Sequence, residues 1–428
     1  MDNRYGSWTI HRVASVVTFL LAITSSQLLA ATNSLSGGVQ SRYSDNSRLD
    51  SSNEESDLEN RVTVDFSHEG AGTKCQTGAD VSLGYREWVN ETFDPEVYTS
   101  GGLNGICNIS KRIQWRASNV ITQQTEDSRE ADTPNNRTRK NVFSTGPLYS
   151  VQLSPVDTLS LSASYVNTEF EEEGDPDSNR VIGTTSYLHN FSPTLGAGLS
   201  GSVERAELDT EEELDKESLS VTFNKSWAVT NMNGAVGINR LTSRLGQQEI
   251  ETDGITASLG VDRQINPTAR FSLSVRRELT DQTSTLGVDF DDFSFNLTDT
   301  AAVEVTAAIA GLQKQFSDGS NLSARAFADR SDFVRSENSE DSLGFSISYS
   351  RPVSTLTSVI VDTGYRFNRY SIDDSEDTEV SVAISTRYRL TSRMTLNASV
   401  GHDREDSDVA GRGFEENWAS VSLGYQFF

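Results

Sequence analysis

Asn417-Trp418-Ala419-Ser420-Val421-Ser422-Leu423-Gly424-Tyr425-Gln426-Phe427-Phe428 closes the chain. Ala419, Val421, Leu423, Tyr425 and Phe427 fall on one face, and Ser420, Ser422, Gly424 and Gln426 on the other. That period of two belongs to a β-strand, whose successive side chains point to opposite sides. An unbroken apolar face backed by small polar residues fits a wall between lipid and water, and its aromatic end suits a membrane interface. Phe427, not Phe428, continues the apolar row. Two readings of the terminus are open: Phe428 turns to the interface, or a bulge near Gly424 restores the phase.

Upstream, the same unit recurs about every twenty residues. Strands are predicted at 35–45, 57–68, 76–89, 98–109, 112–123, 138–153, 157–170, 179–191, 194–207 and 215–227. Ten more follow at 230–243, 252–265, 268–281, 298–316, 319–332, 340–351, 355–370, 378–390, 393–405 and 417–428. The total is twenty, within a range of eighteen to twenty-two, because 90–97 and 282–297 are not placed by pattern. The stretch 282–297 reads equally as a long loop, an inward-folding constriction or a short extra hairpin. In the cleanest strand, Val380, Val382, Ile384, Thr386, Tyr388 and Leu390 alternate with Glu379, Ser381, Ala383, Ser385, Arg387 and Arg389. Half of such a strand is too polar for a dry sandwich core, whereas a water-filled lumen accepts it. The expected fold is therefore all-β, a single antiparallel transmembrane β-barrel.

Composition agrees with this. Hydrophobic residues are only 35% of the 428, and mean hydropathy is −0.47. No apolar run of eighteen follows the first thirty residues, which excludes a helical membrane protein. A barrel explains the polarity, since only every second strand residue meets lipid. At the N-terminus, Arg4, His11 and Arg12 form a basic head, 13–23 a short apolar core, and Ala30 and Ala31 a cleavage site. Residues 1–31 read as a secretory signal peptide and 32–428 as the barrel. Removing 1–31 takes away Asp2, Arg4 and Arg12, a net charge of +1, and carries the chain from −26 to −27. So acidic a chain disfavours nucleic acid and anionic lipid headgroups as partners, and no nucleic-acid partner is read.

The connections alternate in kind. One series is short: Ser154-Pro155-Val156, Ser192-Pro193, Asn266-Pro267, Ser317-Asp318, Pro352-Val353-Ser354 and Thr391-Ser392. The other is longer and acidic, as at 53–57, 171–177, 209–213, 289–292, 337–341, 373–377 and 403–408. Short turns on one rim and long loops on the other match periplasmic turns and external loops. Because the last strand descends, counting back puts every acidic loop outside.

Cys75 lies in the turn before the third predicted strand and Cys107 near the end of the fourth, both near the periplasmic rim, where an oxidising compartment favours a disulfide; two free thiols are the alternative. No metal site or cofactor site is read. An EF-hand reading of Asp175-Pro176-Asp177-Ser178-Asn179 fails, with Arg180 where Gly is needed and Ser186 where the closing Glu belongs. His402 beside Asp403 is the best case for a hydrolytic base, yet serines are too abundant for the match to carry weight. No catalytic residue is assigned, and the chain is not read as an enzyme.

Strand phase assigns side chains to lumen or lipid. Arg86, Arg116, Arg270, Arg276, Arg325, Arg366, Arg387 and Arg389 take the lumen phase, shared by Glu204, Asp262, Asp329, Asp362 and Glu379. This predicts a mixed but comparatively basic lumen beneath an acidic outer rim. The arginines either guide an anionic solute or polymer, or pair with carboxylates and stiffen the wall.

Two resemblances extend these readings. The terminal strand with Gly424, Tyr425, Phe427 and Phe428 resembles the C-terminal signal read by the barrel assembly machinery of bacterial outer membranes. Ser44-Asp45-Asn46-Ser47 and Glu55-Ser56-Asp57, with the closing Gly424-Tyr425, are similar to an outer-membrane porin family linked to exopolysaccharide secretion and exosortase systems. The resemblance runs over about 35–428. It implies a Gram-negative outer-membrane pore, with lipid, lipopolysaccharide and separate periplasmic export proteins as partners and polysaccharide as a candidate cargo. A surface adhesin without transport and a barrel hydrolase are the alternatives.

Overall fold

The alternation is realised as an unbroken ladder. The protein is described from a computed structural model, which covers residues 31–172, 175–284, 302–336 and 338–428. The strands, in chain order, begin with β1 (Ala31–Ser44), β2 (Asp57–Ala71), β3 (Cys75–Trp88), β4 (Glu96–Asn108) and β5 (Ile113–Thr125). After them come β6 (Arg137–Gln152), β7 (Asp157–Phe170), β8 (Ser178–Ser192), β9 (Leu195–Leu208) and β10 (Glu212–Ser226). The second half holds β11 (Thr230–Leu245), β12 (Gln248–Asn266), β13 (Ala269–Asp281), β14 (Ala302–Gln315) and β15 (Asn321–Phe333). The last five are β16 (Ser339–Pro352), β17 (Thr357–Tyr370), β18 (Ser375–Arg389), β19 (Met394–Ser407) and β20 (Phe414–Gln426).

Each strand pairs antiparallel with the next, and β1 pairs with β20 from Ser36↔Gln426 to Ser44↔Trp418. The twenty strands thus close on themselves, which leaves no sheet edge across the lipid. The predicted fold class and strand number are those observed. The boundaries differ most at β1, which starts at Ala31 rather than 35, and at β12, which starts at Gln248 rather than 252, while the predicted start of β14 at 298 lies outside the described residues. The signal-peptide reading falls on residues outside those described, as does most of 282–297.

Register fixes which row faces where. Tyr43, Val62, Leu83, Ile384, Val400 and Val421 are exposed and lie on the outer row. The opposite row, with Ser44, Asp57, Arg86, Trp88 and Glu416, is buried and lines the lumen. On β20 the outer apolar row runs from Ala419 to Phe427, a span of roughly 26 Å at about 3.3 Å per residue. Tilted by roughly 40° in the wall, it covers about 20 Å of the roughly 25 Å apolar band expected of a transmembrane barrel. Directly above, outer-row polar groups begin: His402 Nδ1 lies 3.0 Å from Asn417 Oδ1, and Arg404 pairs with Asp406 at 2.7 Å.

The terminus takes the first of its two open readings. The β1–β20 and β19–β20 registers run without a bulge. Phe427 covers Gly37 on the outer row and meets Tyr425 edge-on at 5.0 Å between ring centroids. Phe428 carries its exposed ring past the end of β20, while its carbonyl accepts from Leu35 N at 3.1 Å.

Candidate functional site in the barrel lumen

Two segments narrow the lumen from its loop-bearing end. The first is the connection 126–136 between β5 and β6. Asn136 staples it internally, donating through Nδ2 to the carbonyls of Asp127 (2.9 Å), Glu130 (3.1 Å) and Ala131 (3.2 Å). The loop then reaches half the ring away. Tyr370 Oη on β17 donates to Ser128 O at 2.7 Å, and Ser128 Oγ donates to Glu340 Oε2 on β16 at 3.2 Å. Because β5–β6 and β16–β17 stand on opposite walls, the loop bridges the pore.

The acidic groups of this loop sit in contrasting fields. Burial alone would raise Asp127, but hydrogen bonds from the Arg129 side chain and backbone outweigh it and hold the carboxyl below its usual range. Glu126 is raised, first by burial and then by the like charges of Asp175, Glu172 and Glu130.

The second segment is the top of β13. β12 and β13 stay paired only from Asn266↔Ala269 up to Ala257↔Arg277, while β13 and β14 continue together to Asp281↔Ala302. Above Arg277, β13 passes behind β12 and β11 into the lumen. Leu279, fully buried, packs with Ala206, Leu208, Leu214, Leu241 and Ala302 from β9, β10, β11 and β14. Asn239 on β11 bridges the divergence: with its amide oriented to suit both neighbours, it donates to Gly254 O at 2.9 Å and accepts from Leu279 N at 3.1 Å. Beyond, Arg180 on β8 donates to both carboxylate oxygens of Asp281 at 2.8 Å and also pairs with Glu204. Lys140 Nζ on β6 donates to the carbonyls of Gln282 (2.9 Å) and Ser284 (2.7 Å), and Thr168 Oγ1 on β7 to that of Thr283 (2.8 Å). Of the three readings open for 282–297, Gln282–Ser284 take the inward-folding one.

Beside the bridging loop lies a cavity of about 620 Å³, bounded by β1–β3, by β15–β20 and by Asp132 to Pro134 of the loop. Its walls carry guanidinium groups over aromatic rings: Arg42 over Trp418 (5.0 Å), Arg86 over Trp88 (5.2 Å), Arg61 over Tyr98 (5.5 Å) and Arg366 over Phe327 (5.4 Å). Tyr98, Phe327 and Trp418 each lie across the ladder from a glycine, Gly84, Gly344 and Gly401, whose missing side chain leaves room for the ring.

All eight arginines assigned by phase sit on the inner row. They do not act alike. Arg86 pairs with Glu96 (2.5 Å), Arg270 with Asp262 (2.6 Å) and Arg276 with Glu278 (3.8 Å), and Arg366 faces Glu379 in register. Arg325 and Asp329 share the inner row of β15. Arg116 and Arg387, near the short-turn rim, reach only the amide oxygens of Gln114 (3.4 Å) and Asn397 (3.3 Å). Together with Arg389 they have no carboxylate within ion-pair distance among the described residues.

The expectation of a comparatively basic lumen is corrected. Glu59, Glu96, Glu340, Asp377, Asp403, Glu405 and Glu416 also face inward, and several pair there: Glu59 with Arg61, Glu416 with Arg42 and Asp377 with Arg412. Phase reasoning also passed over Arg42, Arg61, Lys140 and Arg180. The signal was present for Arg42 and Arg61, which alternate with the apolar Tyr43 and Val62. For Lys140 and Arg180 the partners lie on remote strands.

Cys75 and Cys107 face each other across β3 and β4 on the outer row at the short-turn rim and are joined as a disulfide, with Cα atoms 4.1 Å apart. His402 and Asp403 point to opposite sides of β19. His402 meets Asn417 outside, whereas Asp403 accepts from Trp418 Nε1 inside at 2.7 Å.

No protein-family model matches this sequence, and neither does any curated protein. Among solved structures, the chain is similar to OmpTdeltaL8, a loop L8 deletion mutant of the outer membrane protein OmpT of Vibrio cholerae, at 9% identity and TM-score 0.37 over 93% of this chain and 100% of that one. It is also similar to the FrpB iron transporter from Neisseria meningitidis, at 7% identity and TM-score 0.48 over 92% and 82% of the two chains. The siderophore receptor PiuA from Acinetobacter baumannii stands at 9% and 0.46 over 94% and 82%. The fold is a closed twenty-stranded antiparallel barrel.

Proposed function

We propose that this protein is an outer-membrane pore for polar solutes, with anionic polymer, as in exopolysaccharide export, as its cargo class. The observation that carries the reading is the lumen: a closed barrel with a polar inner row, constricted by its own segments in the outer half. Mixed, fixed charges in a narrow passage select solutes by charge without any catalytic step. Arg116, Arg387 and Arg389 stand free of carboxylates towards the periplasmic rim, where they offer charge-assisted contacts to an anionic chain before it meets the paired charges above. Asp80 and Asp362 share the inner row at mid-height, so the bias is local. The polysaccharide class itself rests on the family resemblance.

Purified protein in planar bilayers under a KCl gradient tests this. Discrete conductance steps with a reversal potential favouring anions are expected, and Arg116→Gln, Arg387→Gln and Arg389→Gln together shift that potential towards cation preference. An intact barrel that never conducts would favour the adhesin reading, and an unchanged reversal potential would remove the guiding role of the arginines.

A further inference from the structure

We infer that the top of β13 is a latched internal door that exchanges between the lumen and the barrel wall. The inference starts from a mismatch in the ladder. β12 extends to Gln248, and β11 stays paired with it along that whole length. β13 abandons it at Arg277. Among the described residues, no strand pairs with the far edge of β12 over 248–256. Asn239 supplies a side-chain substitute at one point, Gly254. The wall therefore overlaps itself like a scroll, with the β12 edge outside and β13 inside.

The register already in place specifies the alternative state. Continuing from Ala257↔Arg277, β13 would zip onto β12 with Leu279 opposite Ile255 and Asp281 opposite Asp253. Leu279 would then leave the lumen and join Ile238 and Ile255, both exposed on the outer row at the edge of the apolar belt. No strand would need to shift register, so the motion is a hinge above Arg277.

The inner state is held by identifiable contacts. Arg180 grips Asp281, Ser178 Oγ donates to Thr283 Oγ1 at 2.9 Å, Lys140 holds two carbonyls, and Lys216 on β10 stands 3.7 Å from Glu278. Arg335, in the connection after β15, donates to Glu212 at 2.9 Å and to Ser243 at 3.0 Å, closing over the same tip. The contacts on the tip come from β6, β8 and β10, all outside the β12–β14 unit, which is the arrangement of a latch rather than of a continuing sheet. Swinging the tip to the wall would clear the inner face of β6–β11 and widen the outer half of the pore.

Paired cysteines in the full-length, membrane-assembled protein decide the matter. Asp253→Cys with Asp281→Cys tests the wall state, and Arg180→Cys with Asp281→Cys tests the lumen state, each in a Cys75→Ser/Cys107→Ser background. Crosslinks are read by gel mobility after mild oxidation, with resistance of the folded barrel to detergent as the check on assembly. Both pairs are expected to crosslink, and the wall-state crosslink is expected to give a larger conductance step than the lumen-state one. If the lumen pair crosslinks while the wall pair stays reduced in folded protein, the door does not exist. The crosslink is scored without conductance, so a silent barrel would refute the pore reading while leaving the movement itself decided.

Discussion

Arg180 on β8 and Asp281 at the end of β13 are separated by 101 residues and by the width of the lumen's flank, yet two hydrogen bonds of 2.8 Å join them. Both side chains are almost wholly buried, and Glu204 shares the guanidinium. Removing one partner of such a group strands the others in a dry site. Arg180→Met is expected to destabilise the barrel by about 3–5 kcal/mol, whereas Arg180→Met combined with Asp281→Leu and Glu204→Leu recovers most of the loss. Urea unfolding in detergent micelles measures both; equal loss in the two variants would contradict the pairing.

The bridging loop depends on one phenol. Tyr370→Phe removes the hydrogen bond to Ser128 O but keeps the ring in place. The loss is about 1 kcal/mol, enough to raise several-fold the time the loop spends detached. Single-channel records should show more frequent or longer wide openings, with bulk stability nearly unchanged.

Acid should first tighten and then loosen this loop. Glu126 has a raised pKa, so its ionised form opposes the folded loop at neutral pH, and the penalty disappears as pH falls through that raised value. Asp127 has a lowered pKa, so its contribution is present above the ordinary carboxylate range and is lost as pH falls through the lowered value. Packing is best in the window where Glu126 is protonated and Asp127 ionised, around the unperturbed carboxylate value of about 4. Conductance should therefore decline from neutral pH towards that window, and Glu126→Gln should flatten the decline.

At the C-terminus, Phe427 covers Gly37 and packs on Tyr425, while Phe428 lends mainly its carbonyl. Deleting Phe428 alone should be tolerated better than deleting both. The fraction of heat-modifiable, folded protein in outer-membrane preparations reads this, and equal loss in the two truncations would oppose it.

For Cys75 and Cys107, native protein should resist thiol alkylation until reduced. The ladder already brings β3 and β4 together, so replacing both by Ser should cost about 2 kcal/mol, the low end for a disulfide. Ready alkylation of the native protein would contradict the bond.

Local pattern was enough for the wall. Alternation of Val380, Val382 and Ile384 with Glu379, Ser381 and Ala383 identifies a strand, its two faces and its medium, because a period of two is a property of neighbours in sequence. The same rule placed Arg86, Arg116 and Arg366 on the inner row, and the step from Phe427 to Phe428 marked the end of the apolar row. What fills the lumen is a different kind of fact. That Ser128 reaches Tyr370, that Arg180 holds Asp281, and that β13 leaves β12 above Arg277 are contacts between remote strands, set by which surfaces the closed barrel brings face to face. No periodicity encodes them. Neighbours in sequence were enough for the barrel, for about twenty strands and for the two faces of its clearest ones, whereas the pairing of charges and the constriction of the pore came from contacts between remote strands.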